Sequence, residues 1–456
     1  MTAKPTIITF VLAIISAFVA LWSVRAESVA TKTNHDEASS LMPASFPVDA
    51  VDRIVVERTP RGAASPMHLV FTRSESGWTQ AEPFVYPMDP FSMRQIAVAA
   101  VQTRIVDRLM PSRSGETSVT PAGLGFDPPE AIITYAWDGH TMTLELGRRG
   151  IAGRAYARVQ GQQEILVVSQ ELHLRAIEMD PKEWRDRSLF REVSIESDRI
   201  IREAGEMRVV MERERRQWRM LEPVRTRIDS EALDVYMQRL GAARASGFIA
   251  DQPSSLERYG LTRPLASVAV VNHARGEGSA VMQRLLIGGP AGGPTFDHYC
   301  MIEDVPVVLR VPGQVLQAML AHPRELIDPT GTGVQPEDVK SVRIVHNGSE
   351  LTFERDLERW RAVSHDRREV PAAMVQQLLH KLCNARAAAV EIVAYPRELE
   401  TAVVTFFGFD TRPLDTVRVV HDSASGQWGL ENGDDVLRVF SREFDLKLKP
   451  EEYGLR

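Results

Sequence analysis

Trp218-Arg219-Met220-Leu221-Glu222-Pro223, a helical stretch from Asp229 to Ala245, and then Tyr259-Gly260-Leu261-Thr262-Arg263-Pro264 decide the fold, because the chain carries this series three times. The first copy runs from Trp78 through a helix after Asp89 to Gly125-Phe126-Asp127-Pro128. The third runs from Trp360 through a helix after Pro371 to Gly408-Phe409-Asp410-Thr411-Arg412-Pro413. Trp78 and Arg104, Trp218 and Arg244, and Trp360 and Arg386 are each 26 residues apart. The distances from those arginines to Gly125, Gly260 and Gly408 vary: 21, 16 and 22 residues. A segment of fixed length followed by one of variable length is the signature of a packed repeating unit with a loose loop. The copies also share a close, Pro-x-Glu before a large residue: Pro181, Glu183 and Trp184; Pro323, Glu325 and Leu326; Pro450, Glu452 and Tyr453.

Within each copy, short apolar runs separated by Gly, Ser or Asn predict hairpins, such as Arg53–Arg58 with Met67–Phe71. Asp138-Gly139, between Ala131–Trp137 and Thr141–Leu146, is a two-residue turn signal because both positions favour positive φ. Asp89 before Pro90, and Asp229 before Ser230 and Glu231, predict helix starts. Val98, Val101, Ile105 and Leu109 lie at helical spacing, as do Leu233, Met237 and Leu240, and Val375, Leu378 and Leu382. One apolar stripe facing one sheet makes each copy a two-layer α+β unit of five to seven strands, mostly antiparallel. Arg104, Arg244 and Arg386 fall where a cation meets the negative end of the helix dipole. Gly125, Gly260 and Gly408 are read as backbone requirements, and Leu261 and Phe409 as core.

The spacings Trp78 to Pro83 and Trp218 to Pro223, the helix, and the turns closing on Pro128, Pro264 and Pro413 resemble the bacterial envelope family catalogued as domain of unknown function 4340. The third copy departs from that pattern at His365, where a proline would stand. The resemblance spans roughly residues 50 to 456 and implies an anchored, exported protein, often encoded beside ABC-type export or gliding-motility systems. It supplies no catalytic residues.

The run from Pro5 to Val24 has no charge after Lys4 and is long enough to span a hydrocarbon core of about 30 Å. A cleaved signal peptide ending at Val24-Arg25-Ala26 is the competing reading. Either way the body is exported, and the favoured location is the inner membrane, single-pass, with the bulk of the chain periplasmic. The organisation is therefore an anchor over 1–26, a flexible tether over 27–49, and copies over 50–188, 189–333 and 334–456. A net charge of −7 disfavours nucleic acid, which demands a basic surface. Cys300 and Cys383, the only cysteines, lie at non-equivalent positions and are read as free thiols before a disulfide.

Little in the chain suggests chemistry. Gly288–Pro294 is glycine-rich but lacks the Gly-Lys-Ser/Thr ending of a phosphate cradle, so it reads as a loop. His298 and Cys300 would share one face of a strand, yet no third group orients them. No His-x-x-x-His or Cys-x-x-Cys set occurs, so no metal and no cofactor is expected. Asp434-Asp435 and Glu451-Glu452 read as solvated pairs. The expected role is non-catalytic binding or scaffolding in the cell envelope, with the membrane and an envelope or transporter protein as partners. The alternatives are an envelope-polymer hydrolase and a carbohydrate- or peptide-binding module.

Overall fold

The computed structural model describes residues 39–455, apart from 44, 60–65, 111–119, 192, 194–196, 216, 273–280 and 394–396. The expected anchor at 1–26 lies outside them; among the described residues no helix is long and apolar enough to cross a membrane. The chain is mostly β. Copy one contributes β1 (Arg53–Arg58), β2 (Met67–Ser74), β3 (Gly77–Glu82), β4 (Tyr86–Pro87), β5 (Ile105–Leu109), β6 (Ala131–Trp137), β7 (His140–Arg149), β8 (Arg154–Val159) and β9 (Ile165–Ser169). They form one sheet in the order β4-β3-β2-β1-β6-β7-β8-β9-β5, with every pair antiparallel. Two further nine-stranded sheets repeat that order. Nine strands exceed the five to seven expected from sequence. The extra ones are short edge elements, such as Tyr86–Pro87 and Thr226–Arg227, too brief to set up an alternation.

The tryptophans fix a common register. Trp78 pairs with Arg73, Trp218 with Arg213 and Trp360 with Arg355. One residue further on, Thr79 pairs with Pro87, Arg219 with Arg227 and Arg361 with Glu369. Pro83 and Pro223 both follow cis peptide bonds. Asp138 and Gly139 take φ of 45° and 79°, the two left-handed positions their turn calls for.

Thirteen-residue helices follow: Pro90–Gln102, Ser230–Ala242 and Ala372–Asn384. Asp89 caps the first by accepting from the Ser92 N–H at 2.8 Å. Asp229 caps the second through the N–H groups of Glu231 and Ala232. The third starts after Pro371 without a side-chain cap. Met93, Ile96 and Ala100 of the first helix are buried in one cluster with Ile54, Phe71, Ile133 and Leu144 of the sheet. Val375, Leu379 and Leu382 similarly join Ile344, Phe353 and Val404. In copy two, Leu233, Tyr236 and Leu240 are buried, as are Ile200, Met211 and Val268. Burying a side chain of this size is worth about 1.5–3 kcal/mol, so the stripes sustain helices too short to persist alone.

The chain divides into two compact units between Asp186 and Arg187: copy one, and copies two and three together. Three further expectations need correction here, besides the copy-one stripe, whose Ile105 and Leu109 stand on β5 past the helix end at Gln102. The tether ends well before residue 49: Leu41, Met42 and Phe46 are buried in copy one's core, and Phe46 meets Trp137 edge-on at 5.0 Å. Polar, Ser-rich composition concealed these three anchors. Gly288–Pro294 is not simply a loop, because the strand Val281–Gly292 runs through all of it but Gly293 and Pro294. A Cβ on Gly288 would lie 2.3 Å from the Tyr259 carbonyl, and one on Gly147 would lie 2.4 Å from that of Leu124. These glycines let a covering turn sit directly on the sheet.

The third correction concerns Gly408. Gly125 and Gly260 close the short 3-10 turns Ala122–Leu124 and Glu257–Tyr259 at φ of 84° and 67°, ahead of the strands Ala131–Trp137 and Ala266–Asn272. Gly408 instead lies between the strands Glu400–Phe407 and Pro413–Asp422, in a hairpin closed by Thr411 N–H to the Gly408 carbonyl. Its match to the other two is therefore one of composition only. Phe409, expected in the core, is 65% exposed.

Candidate functional site

Trp78 and Trp360 are buried in the cores of copies one and three, and Trp218 is half-buried. Arg104, Arg244 and Arg386 each form an isolated antiparallel bridge to the segment entering their own copy, at Ser40, Ser188 and Thr330. Their side chains differ. Arg244 donates to the Gly241 and Ala243 carbonyls at 2.8 and 3.0 Å, closing its own helix. Arg386 reaches across to the Asp229 carboxylate, which caps the helix of copy two. Pro128 follows a cis bond in copy one, Pro264 stands just before the strand Ala266–Asn272, and Pro413 begins a strand of copy three.

The densest polar constellation lies where copy two meets copy three. Arg438, in the strand Val436–Phe440, is fully buried. It donates to Asp434 Oδ2 at 2.8 Å, to the Asp328 carbonyl at 2.9 Å and to Thr226 Oγ1 at 3.2 Å. Thr226 also donates to Asp434. Alongside, Arg227 donates to Asp328 Oδ2 at 2.9 Å and to the Thr330 carbonyl at 2.8 Å. Burial pushes the Asp328 pKa up, but Arg227 and the Thr330 N–H and hydroxyl outweigh it and hold the carboxyl below its ordinary range. Asp434, expected on a solvated surface, is thus a largely sheltered counter-charge, its side chain 10% exposed, while its neighbour Asp435 is exposed. The matching strands Ile165–Ser169 and Val307–Val311 place only apolar residues in their first three positions. Sequence reading missed this network because its members lie far apart in the chain. One signal was available: Asp186-Arg187-Ser188 and Asp328-Pro329-Thr330 follow the first two of the three Pro-x-Glu closes.

A second copy-specific group is Arg202, which is 3% exposed at a position that Val56 and Ile344 fill in the other sheets. It donates to the Ala321 carbonyl at 2.8 Å, and its guanidinium lies 5.2 Å from the centre of the Tyr236 ring. Two copies also share a surface triad. His68 lies between Glu57 and Glu82 at 3.3 and 3.7 Å, and Arg208 between Glu203 and Glu222 at 3.4 and 2.8 Å. These are cross-strand pairs about half exposed, each worth about 0–1 kcal/mol.

Burial pushes the Cys300 thiol up to about 12, which keeps it protonated, and the His298 ring is engaged with the Phe296 carbonyl at 3.2 Å. Cys300 and Cys383 are both free and buried. Among the described residues no group of three His, Cys, Asp or Glu side chains could hold a metal ion. A surface depression in copy three is lined by Glu337, Lys340, Arg355, Asp356, Leu357 and Phe409, beside a second one lined by Asp356 to Arg359 and Arg361.

A family model described as Domain of unknown function (DUF4340) matches residues 78–217 and again 218–402, each match opening on a repeat tryptophan. No curated protein and no solved structure matches the chain.

Proposed function

This chain belongs to the family of domain of unknown function 4340, and from that premise we propose that it is a membrane-anchored, exported, non-catalytic binding or scaffold component of the bacterial cell envelope, accessory to an ABC-type export or gliding-type transport system. Residues 1–26 are its anchor, and copies over 50–188, 189–333 and 334–456 carry its binding surfaces on the periplasmic side. In the same reading each copy is α+β, one sheet packed on one long helix. The observation that carries the proposal is the use to which recurrent residues are put. Tryptophans set register, arginines meet incoming chain, and the buried Arg438 network joins two copies. A family built around a reaction would repeat a polar centre, and here the repeated features are those of a framework.

Cross-linking in intact membranes followed by purification in mild detergent tests this. The expected result is a defined envelope or transporter protein recovered with the full chain and lost when residues 1–26 are deleted. Recovery of the chain alone, together with turnover of an envelope polymer by the pure protein, would overturn it.

A further inference from the structure

Copy one carries a basic tip whose charge the fold leaves uncompensated. The hairpin joining β7 to β8 turns through Gly150-Ile151-Ala152-Gly153, closed by the Gly150 N–H to the Arg154 carbonyl at 2.8 Å, and leaves Ile151 92% exposed. From Leu146 to Gln163 the chain has four arginines and no Asp or Glu. Two of the four are spoken for: Arg149 pairs with Glu178 and Arg158 with Glu145. Arg148 and Arg154, which flank the turn, make no ion pair among the described residues. A single exposed aliphatic residue calls for no explanation, but one set between unpaired cations does. The matching hairpins differ: one strand of copy two starts on Asp297, one of copy three ends on Asp422, and neither turn contains a cation.

The cations thus stand on the copy that follows the proposed anchor. Arg154 pairs with Ser169, whose N–H donates to the Arg104 carbonyl at 2.9 Å, and Arg104 bridges to Ser40. The base of the tip therefore lies three strand spacings, about 14 Å, from the point where the chain enters copy one. With residues 1–26 as anchor, residues 27–38 reach at most about 40 Å, which keeps the tip within range of the bilayer surface.

We propose that this tip is a membrane contact, in which Ile151 enters the interfacial region of an anionic phospholipid bilayer while Arg148 and Arg154 pair with headgroup phosphates. A chain of net charge −7 is as a whole repelled by such a bilayer, so an uncompensated basic tip decides which side faces it. One aliphatic side chain and two guanidiniums cover far less area than a stable protein–protein interface needs. A fluid bilayer accepts a narrow tip without a matching shape. The contact is too slight to recruit a free protein and sufficient to orient one already tethered. It rests on the anchor proposed above and adds what copy one touches.

The full chain reconstituted into vesicles, with an environment-sensitive fluorophore on Ala152→Cys, tests it; Cys300 and Cys383 are buried and stay unlabelled. Spin-labelled phospholipid should quench the fluorophore at least about threefold more in vesicles of phosphatidylglycerol and phosphatidylcholine than in phosphatidylcholine alone. That gain should be lost in Arg148→Glu/Arg154→Glu and lowered in Ile151→Ser, with an unchanged melting temperature. Equal quenching in both kinds of vesicle, or a gain that survives either set of substitutions, would overturn the contact. So would an unquenched tip whose charge reversal abolishes cross-linking to an envelope protein, which would make it a protein contact. If the chain floats with the vesicles and the tip stays unquenched, the contact falls and the anchor stands. If the chain does not float with them, both fall.

Discussion

Arg438 concentrates the physics of the junction in one side chain. Desolvating a guanidinium costs several kcal/mol, and the cost is met here by a carboxylate, a hydroxyl and a carbonyl drawn from both copies. Arg438→Leu leaves the sheltered Asp434 with only the Thr226 hydroxyl in place of its counter-charge, and chemical denaturation should read a loss of about 3 kcal/mol. Adding Asp434→Leu should recover part of it, since the uncompensated charge is then gone. His173 gives a second handle. It is buried in copy one with Nε2 on the Tyr156 carbonyl, and burial pushes its pKa down to about 4. The unfolded chain protonates near 6.5, so the unfolded state binds more protons between those values. Stability is therefore complete above about pH 6.5 and declines as pH falls toward 4, by up to about 3 kcal/mol. His173→Leu should flatten that limb in melts between pH 4 and 7. Neither residue was legible in advance. Period and spacing identify apolar faces, whereas a buried charge is recognisable only once its distant partners are in place.

At the scale of elements, the linker between copies two and three is as closely fitted as a core strand. A Cβ on Gly331 would come within 2.5 Å of Leu430 Cδ1 and 2.7 Å of the Leu382 carbonyl. The carbonyl belongs to helix backbone and cannot swing aside. Gly331→Ala should therefore cost about 1–3 kcal/mol in denaturation, whereas Gly348→Ala, on an open turn, should cost little beyond its left-handed φ. Much at this scale was readable. The Trp78, Trp218 and Trp360 registers, the Asp89 and Asp229 caps and the Asp138-Gly139 turn follow from local chemistry, which needs only a few neighbouring residues. The errors share a cause. Gly408 and Phe409 copy the composition of the Gly125 turn but close a different hairpin, and turn chemistry alone does not say which strands it joins. Likewise Leu41, Met42 and Phe46 looked like tether because three anchors in a polar stretch have no period.

For the whole molecule, the consequence is that copies two and three behave as one body, joined through Arg438 to the Asp328 carbonyl, Arg386 to Asp229, and Arg227 to Asp415 at 4.0 Å. The Asp328 carboxyl, which burial pushes up but Arg227 and Thr330 hold below its ordinary range, steadies the segment whose Asp328 carbonyl accepts from Arg438; that contribution is full above the unfolded value near 4 and is lost as pH falls through its folded value. The junction should accordingly loosen in acid, and Asp328→Asn should remove that dependence while weakening the joint at neutral pH. Hydrogen exchange on the intact chain at neutral pH tests the framework most directly. The account predicts that amides of residues 330–334 exchange as slowly as those of the strands Ser341–His346 and Glu400–Phe407, and that Arg438→Leu speeds the linker without exposing copy one. A linker that exchanges at the rate of an open loop in the wild type would contradict it.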